Sequence, residues 1–254
     1  MSNPRLPTEL RDLVVDFLCD SRDALKSCSL VSKSWIPCCR KYLFADIEVN
    51  AMNLPSWKSK FPDPSTSPAC HTRKLLVEFP LEIVDTDAEE GGWISAFSRV
   101  VDFKVDAQYT DTDWPEIYLA PFNRMSPMIK SLKLSFCGIL SSQVYDLVYS
   151  FPLLEDLAVI SYDRWITNDY GQPTASRPSI SPALTGCLDL CLETKTDLVA
   201  SWLLSLPGGL RFRELRLAVY EEEDMLPAIA LVEGCRFTLE SLEVSRLSDG
   251  TFIC

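Results

Sequence analysis

Two rhythms of apolar residues divide this chain. In the opening segment Leu6, Leu10, Leu13, Val14, Phe17 and Leu18 recur at helical spacing and form one stripe. Pro7 suits the first turn of such a helix, where its missing N–H costs nothing, and Glu9 in the same turn favours the helix dipole. The stripe ends in the polar break CDSRD at 19–23. Ser21 or Asp23 then suits the N-cap of a second helix carrying Leu25, Cys28 and Val31. Ser32 suits that of a third, SKSWIPCCRKYLF, in which Pro37 is tolerated because it falls early. Leu13, Phe17 and Leu25 are assigned to the internal core of this small unit. Leu6, Leu10, Val14 and Trp35 are more apolar surface than it can use internally, so something else must cover part of it.

Further along, the rhythm becomes apolar–x–apolar. Such pairs occur at Leu75/Val77, Phe103/Val105, Leu132/Leu134, Leu157/Val159, Leu188/Leu190, Leu215/Leu217 and Leu242/Val244, with first members 28, 29, 25, 31, 27 and 27 residues apart. This period predicts a solenoid with one short strand per repeat. Val100, Ile129, Leu154, Phe212 and Leu239 each stand three positions before a pair, while Thr72 and Thr185 break the pattern. Between the pairs, SSQVYDLVYSFP places Val144, Leu147, Val148 and Phe151 on one helical face, and DLVASWLLSLP does so with Leu198, Trp202 and Leu206. MLPAIALVEGC follows suit. A strand and helix in one unit cannot bury their faces alone, so stacking is needed, and the fold class is α/β with mostly parallel short strands. Residues 53–70, with four prolines and four serines, read as an irregular connector, and 168–182 as a surface loop. The acidic runs at 85–92 and 221–224 read as solvated loops.

The 254 residues are 47% hydrophobic and 24% charged, a globular composition. The net charge of −12 is uneven: residues 1–44 carry +2 and the rest −14. That balance disfavours nucleic acid as a partner. A helix-turn-helix reading of the opening unit has only Lys33, Arg40 and Lys41 to meet phosphate. No apolar run is long enough to span a membrane, and the N-terminus lacks a secretory h-region, so the cytosol or nucleus is expected. The ten cysteines, scattered among apolar runs, are expected to be reduced. Catalysis by a Ser–His–Asp or Cys–His arrangement has only His71 to use. No glycine-rich phosphate loop occurs, and neither Cys187/Cys191 nor Cys38/Cys39 has the spacing of a structural zinc site. No catalytic residue, cofactor or metal is expected.

The sequence LPTEL, the apolar stripe after it, then DALKSCSLVSKSW and YLF together resemble the F-box motif. Phrases such as PALTGCLDL, LPGGLRFRELRL and TLESLEV resemble the irregular leucine-rich repeats often found behind an F-box. The resemblance implies an F-box helical domain at 5–47, a connector at 48–72 and a leucine-rich-repeat-like solenoid at 73–254. It also implies a substrate-recognition subunit of an SCF-type cullin–RING ubiquitin ligase, which is not itself an enzyme. The helical unit would dock on the adaptor subunit, and through it on cullin, while the repeats bind a protein substrate. By position in the motif, the adaptor-facing residues are Leu6, Pro7, Leu10, Val14 and Val31, with Glu9 the first-turn acid and Trp35 the aromatic that braces the third helix. The alternative is a repeat scaffold that acts outside a ubiquitin ligase. Only Cys137 stands where the standard repeat has its turn-forming Asn or Cys; Gln108, Tyr162, Glu193, Tyr220 and Leu247 occupy the others, so uneven turns are expected. The chain stops at SDGTFIC, with no polar capping unit, which suggests a fragment, a truncated product or an edge covered by a partner. On the strand face, Lys133, Ser135, Ala158, Asp189, Arg216 and Glu243 are the expected exposed positions.

Overall fold

The computed structural model describes residues 6–78, 92–107, 122, 125–136, 142–161, 182–192 and 196–246. Three helices come first: α1 (Thr8–Phe17), α2 (Arg22–Val31) and α3 (Ile36–Leu43). Strand β1 (Asp46–Val49) and helix α4 (Leu54–Lys60) follow, then β2 (Lys74–Glu78), the short helix α5 (Gly92–Ser95), β3 (Asp102–Ala107) and β4 (Ser131–Phe136). The remainder comprises α6 (Ser142–Tyr149), β5 (Asp156–Ser161), β6 (Cys187–Leu192), α7 (Thr196–Leu204), β7 (Glu214–Val219), α8 (Met225–Gly234) and β8 (Ser241–Arg246). The eight strands form one all-parallel sheet whose spatial order is the sequence order.

The predicted apolar pairs all lie in strands and in register. Ile47, Leu75, Phe103, Leu132, Leu157, Leu188, Leu215 and Leu242 make one row across the sheet. Val49, Val77, Val105, Leu134, Val159, Leu190, Leu217 and Val244 make the next. Period-2 alternation sends both rows to the same face, where they pack with the connections in a single core. Val100, Ile129, Leu154 and Phe212 are fully buried in that core, and Leu239 packs on its margin. Aromatic rings pack in two groups: Phe103 meets Phe122 and Phe151, and Tyr145 and Tyr149 of α6 meet Trp202 of α7.

Each strand is launched by the same device. The carbonyl just before one strand accepts two successive amides at the start of the next: Ala45 from Arg73 and Lys74, Arg73 from Val101 and Asp102, Val101 from Lys130 and Ser131. The unit with the longest spacing departs from it. There Glu155 O takes only Gly186 N, and Cys187 N turns to the side chain of Asp156, at 2.7 Å from Oδ1. A Cβ at Gly186 would fall 1.9 Å from that oxygen, so this turn admits only glycine without rearrangement.

Four expectations are corrected. The strand ladder begins at Asp46, inside the stretch assigned to the helical domain; four residues of alternation are too short to stand out in sequence. The proline-rich stretch is ordered rather than irregular. Asn50 Oδ1 accepts the amides of Met52 and Asn53, Asn53 Oδ1 accepts that of Asn50, and this turn opens α4, with Pro55 in its first turn. Leu54, Ala69 and Trp57 of that stretch join the main core. In α7 the buried face is Val199, Ala200, Trp202 and Leu203, with Leu198 exposed, and Leu206 is buried just beyond its end. The acidic run at 221–224 is a 3-10 turn closed by reciprocal bonds between Glu221 and Asp224, and Asp224 is buried. The acidic run at 85–92 and the insert at 168–182 lie outside the described residues, save for Gly92 and Pro182.

Thr72 occupies the position that Val100, Ile129, Leu154 and Phe212 fill elsewhere; it is fully buried, and its Oγ1 meets no partner among the described residues. Thr72→Val removes that unmet hydroxyl and is expected to add about 1 kcal/mol of stability. Urea unfolding should show a higher midpoint at an unchanged slope.

Candidate docking surface

The opening unit has very little interior. Val15, Leu25 and Cys39 are its buried residues, with Leu18, Cys28, Trp35, Cys38, Tyr42 and Leu43 packed around them. Polar contacts hold α1 against α3, where Cys38 Sγ donates to Asp12 Oδ1 at 2.9 Å and Tyr42 OH donates to Asp16, and against the turn before it, where Arg11 Nη1 donates to Ser34 O at 2.7 Å. The Cys38 thiol is pushed up, first by its bond to Asp12 and then by burial, and the Tyr42 phenol is pushed up by its bond to Asp16. Both protons therefore stay in place as donors near neutrality. Ser21 stands at the N-cap of α2 without a side-chain cap bond. Ser32 does not cap α3, which opens at Ile36 with Trp35 at its N-cap, after a turn closed by Trp35 N to Ser32 O.

The one buried residue of α1, Val15, lies outside that stripe, and the stripe itself, save half-buried Leu18, faces outward. Leu6, Leu10, Leu13, Val14, Phe17 and Leu18 line a shallow apolar groove of about 400 Å³. Leu13 at 63% and Phe17 at 90% exposure are surface residues, which corrects their assignment to the internal core; Leu25 is buried as expected. The unit is too small to bury both flanks of a stripe this wide. Of the motif-matched residues, Leu6, Leu10 and Val14 come together in the groove. Pro7 and Glu9 are exposed on the same helix end but do not line it. Val31, 67% exposed, is on α2 beside exposed Leu30, and Trp35 is half-buried in the small interior. Leu13, Phe17 and Leu30 are the apolar surface residues that sequence reasoning missed.

The unit joins the sheet without a spacer, because α3 ends at Leu43 and β1 starts at Asp46. Trp57 of α4 bridges the junction, stacked on Phe97 at 6.0 Å and edge-on to Phe44 at 6.3 Å. The connection is packed.

The strand face carries Lys133, Ala158, Asp189, Arg216 and Glu243 in one row across β4–β8. Ser135, expected to be exposed, is buried. Arg216 bonds Glu214 at 2.6 Å and lies 3.9 Å from Glu243. His71 closes a 3-10 turn; burial, then Arg99 and Arg40, push its pKa down, and among the described residues no Ser, Cys or carboxylate bonds it. Among the described residues no group of three or more His, Cys, Asp or Glu is placed to hold a metal. No disulfide is formed among the described cysteines, and no described helix is long and apolar enough to cross a membrane.

The chain is thus an α/β protein in which an eight-stranded, all-parallel, sequentially ordered sheet is preceded by three helices that present an apolar groove. Compared with protein-family models, with curated proteins and with solved structures, it matches none.

Two outcomes follow from this geometry. Leu13→Ser and Phe17→Ser should each change unfolding free energy by no more than about 0.5 kcal/mol, whereas Leu25→Ala should cost about 2–4 kcal/mol. Equilibrium denaturation followed by circular dichroism distinguishes them. The Asp189 carboxyl is pushed up, first by burial, with Lys133 and Arg216 opposing and Glu243 and Glu214 adding. Its stabilising contribution is therefore present below the unfolded pKa and lost as pH rises through the folded one. Asp189→Asn should stabilise the protein near neutrality and have little effect in acid below the ordinary carboxylate range, as read from unfolding midpoints across pH.

Proposed function

We propose that this protein is a substrate-recognition subunit of an SCF-type cullin–RING ubiquitin ligase, with an F-box at its N-terminal end and an irregular leucine-rich-repeat solenoid behind it. The observation that carries this reading is the outward apolar groove of α1, formed by the same stretch whose sequence resembles the F-box. A helical unit with so small an interior leaves this surface in water unless another polypeptide covers it. The adaptor subunit is the occupant that the resemblance implies. Leu6, Leu10 and Val14, joined by Leu13 and Phe17, would be its apolar anchors, within a specific interface of about 1,200–2,000 Å² in total.

The protein would act by positioning rather than by bond chemistry. The sheet would hold a protein substrate while the ligase presents activated ubiquitin, so that both reactants share one assembly and a high effective concentration. The packed junction at Trp57 supports this role, because a loose link would dilute the gain.

Purified adaptor immobilised on resin should retain the wild-type chain and release the Leu10→Asp/Val14→Asp double variant. The variant should keep its unfolding midpoint, since both positions are exposed. Phe17→Asp should weaken retention at least tenfold. Failure of the wild-type chain to bind would overturn the ligase reading in favour of a scaffold acting outside it.

A further inference from the structure

On the helical side of the sheet, α7 and α8 leave a trough of about 650 Å³ between them. Its walls are two stripes of matched spacing. Asp197, Ala200, Ser201 and Leu204 follow i, i+3, i+4, i+7 along α7. Glu223, Leu226, Pro227 and Ala230 repeat that interval into α8. Small side chains sit mid-wall, so a third helix can approach closely, and Leu226 at 75% and Leu204 at 40% exposure offer apolar contact. At one end stand four carboxylates, Asp197, Glu221, Glu223 and Asp224, with no Lys or Arg among the described lining residues. Two helix N-termini offset about one unit of that charge, leaving about three uncompensated among the described residues. Asp224 is 9% exposed; its Oδ2 accepts the amides of Tyr220 and Glu221, and its Oδ1 takes no hydrogen bond among the described residues.

We infer that this trough is a docking site for a basic amphipathic helix of a partner protein, whose apolar stripe lies along the walls and whose Lys or Arg side chains meet the acidic end. The helical occupant follows from the walls: their backbone amides are engaged within α7 and α8, so an extended segment would find no backbone partners, whereas a helix satisfies its own. The basic character follows from charge complementarity with Asp197, Glu221 and Glu223, which are exposed, while Asp224 is buried. The site is on the helix layer, away from α1, and does not depend on adaptor binding.

The test uses the full chain and a fluorescein-labelled helical peptide of about 15 residues, with leucines at i, i+3, i+4, i+7 and lysines flanking them at one end. A second peptide carries Glu in place of Lys. Fluorescence anisotropy should show saturable binding of the lysine peptide only, weakening steeply with added salt. Asp197→Lys/Glu223→Lys and Leu226→Asp, all at exposed positions, should each weaken it at least tenfold. Asp46→Lys/Glu48→Lys on β1, both exposed and carrying the same change of charge, should leave it unchanged. The inference is overturned if the lysine peptide fails to bind, if the trough variants bind as wild type, or if the Asp46/Glu48 control weakens binding equally, which would mean diffuse attraction to an acidic protein.

Discussion

Every strand in this molecule depends on the one beside it. The two apolar residues that each strand sends inward are worth about 3–6 kcal/mol gross when fully buried. Fixing the backbone of a strand six residues long costs about 6–12 kcal/mol. A unit alone therefore cannot stand; it is held because its neighbours cover the same rows and its connection fills the space behind them. The rows show this directly. From β2 to β7 the paired residues are at most 3% exposed, while in β8, the last strand described, Leu242 and Val244 are 47% and 49% exposed. The chemistry of those two residues is no different; what they lack, among the described residues, is a further strand.

At the other end the sheet meets the three-helix unit, and the two interiors stay separate: one holds Val15, Leu25 and Cys39, the other begins at Ile47. What fixes the unit to the sheet is covalent continuity through α3 and β1, with Trp57 wedged between Phe44 and Phe97. Separate interiors joined by a stiff bridge explain why the α1 groove stays open. Apart from Leu18, which also packs on the small interior, its residues turn neither toward the sheet nor into an interior already filled.

The sheet was legible from the chain because its signal is redundant. Seven apolar pairs at a nearly even interval identify a stacked parallel arrangement, and all seven pairs fall in register. The eighth pair, Ile47/Val49, was illegible because it lies where a helical pattern ends, and the connector was misread because proline signals a break in sequence yet also starts α4. The candidate surface was legible only in part. Leu6, Leu10 and Val14 were separable as surface, but a helical wheel cannot say which flank of a broad stripe turns inward, so Leu13 and Phe17 were misplaced. That depends on α1 being pinned to α3 by Asp12–Cys38 and Asp16–Tyr42, contacts 26 residues apart in sequence. The trough was illegible for the same reason: its two stripes acquire meaning only once α7 and α8 lie side by side.

The two outward surfaces stand at opposite ends of the strand order, one ahead of β1 and one against β6–β8. At about 4.8 Å per strand step, β1 and β7 are about 29 Å apart along the sheet. A single helix of ordinary length cannot occupy both, so they serve separate occupants or separate parts of one large one. Their separation is only as constant as the stack between them, and that stack contains Phe103, fully buried and in contact with two further phenylalanines. A core substitution there touches neither surface. It would still alter how firmly one end is held relative to the other, because in a sheet built of nearest-neighbour contacts the middle strands carry every constraint between the ends.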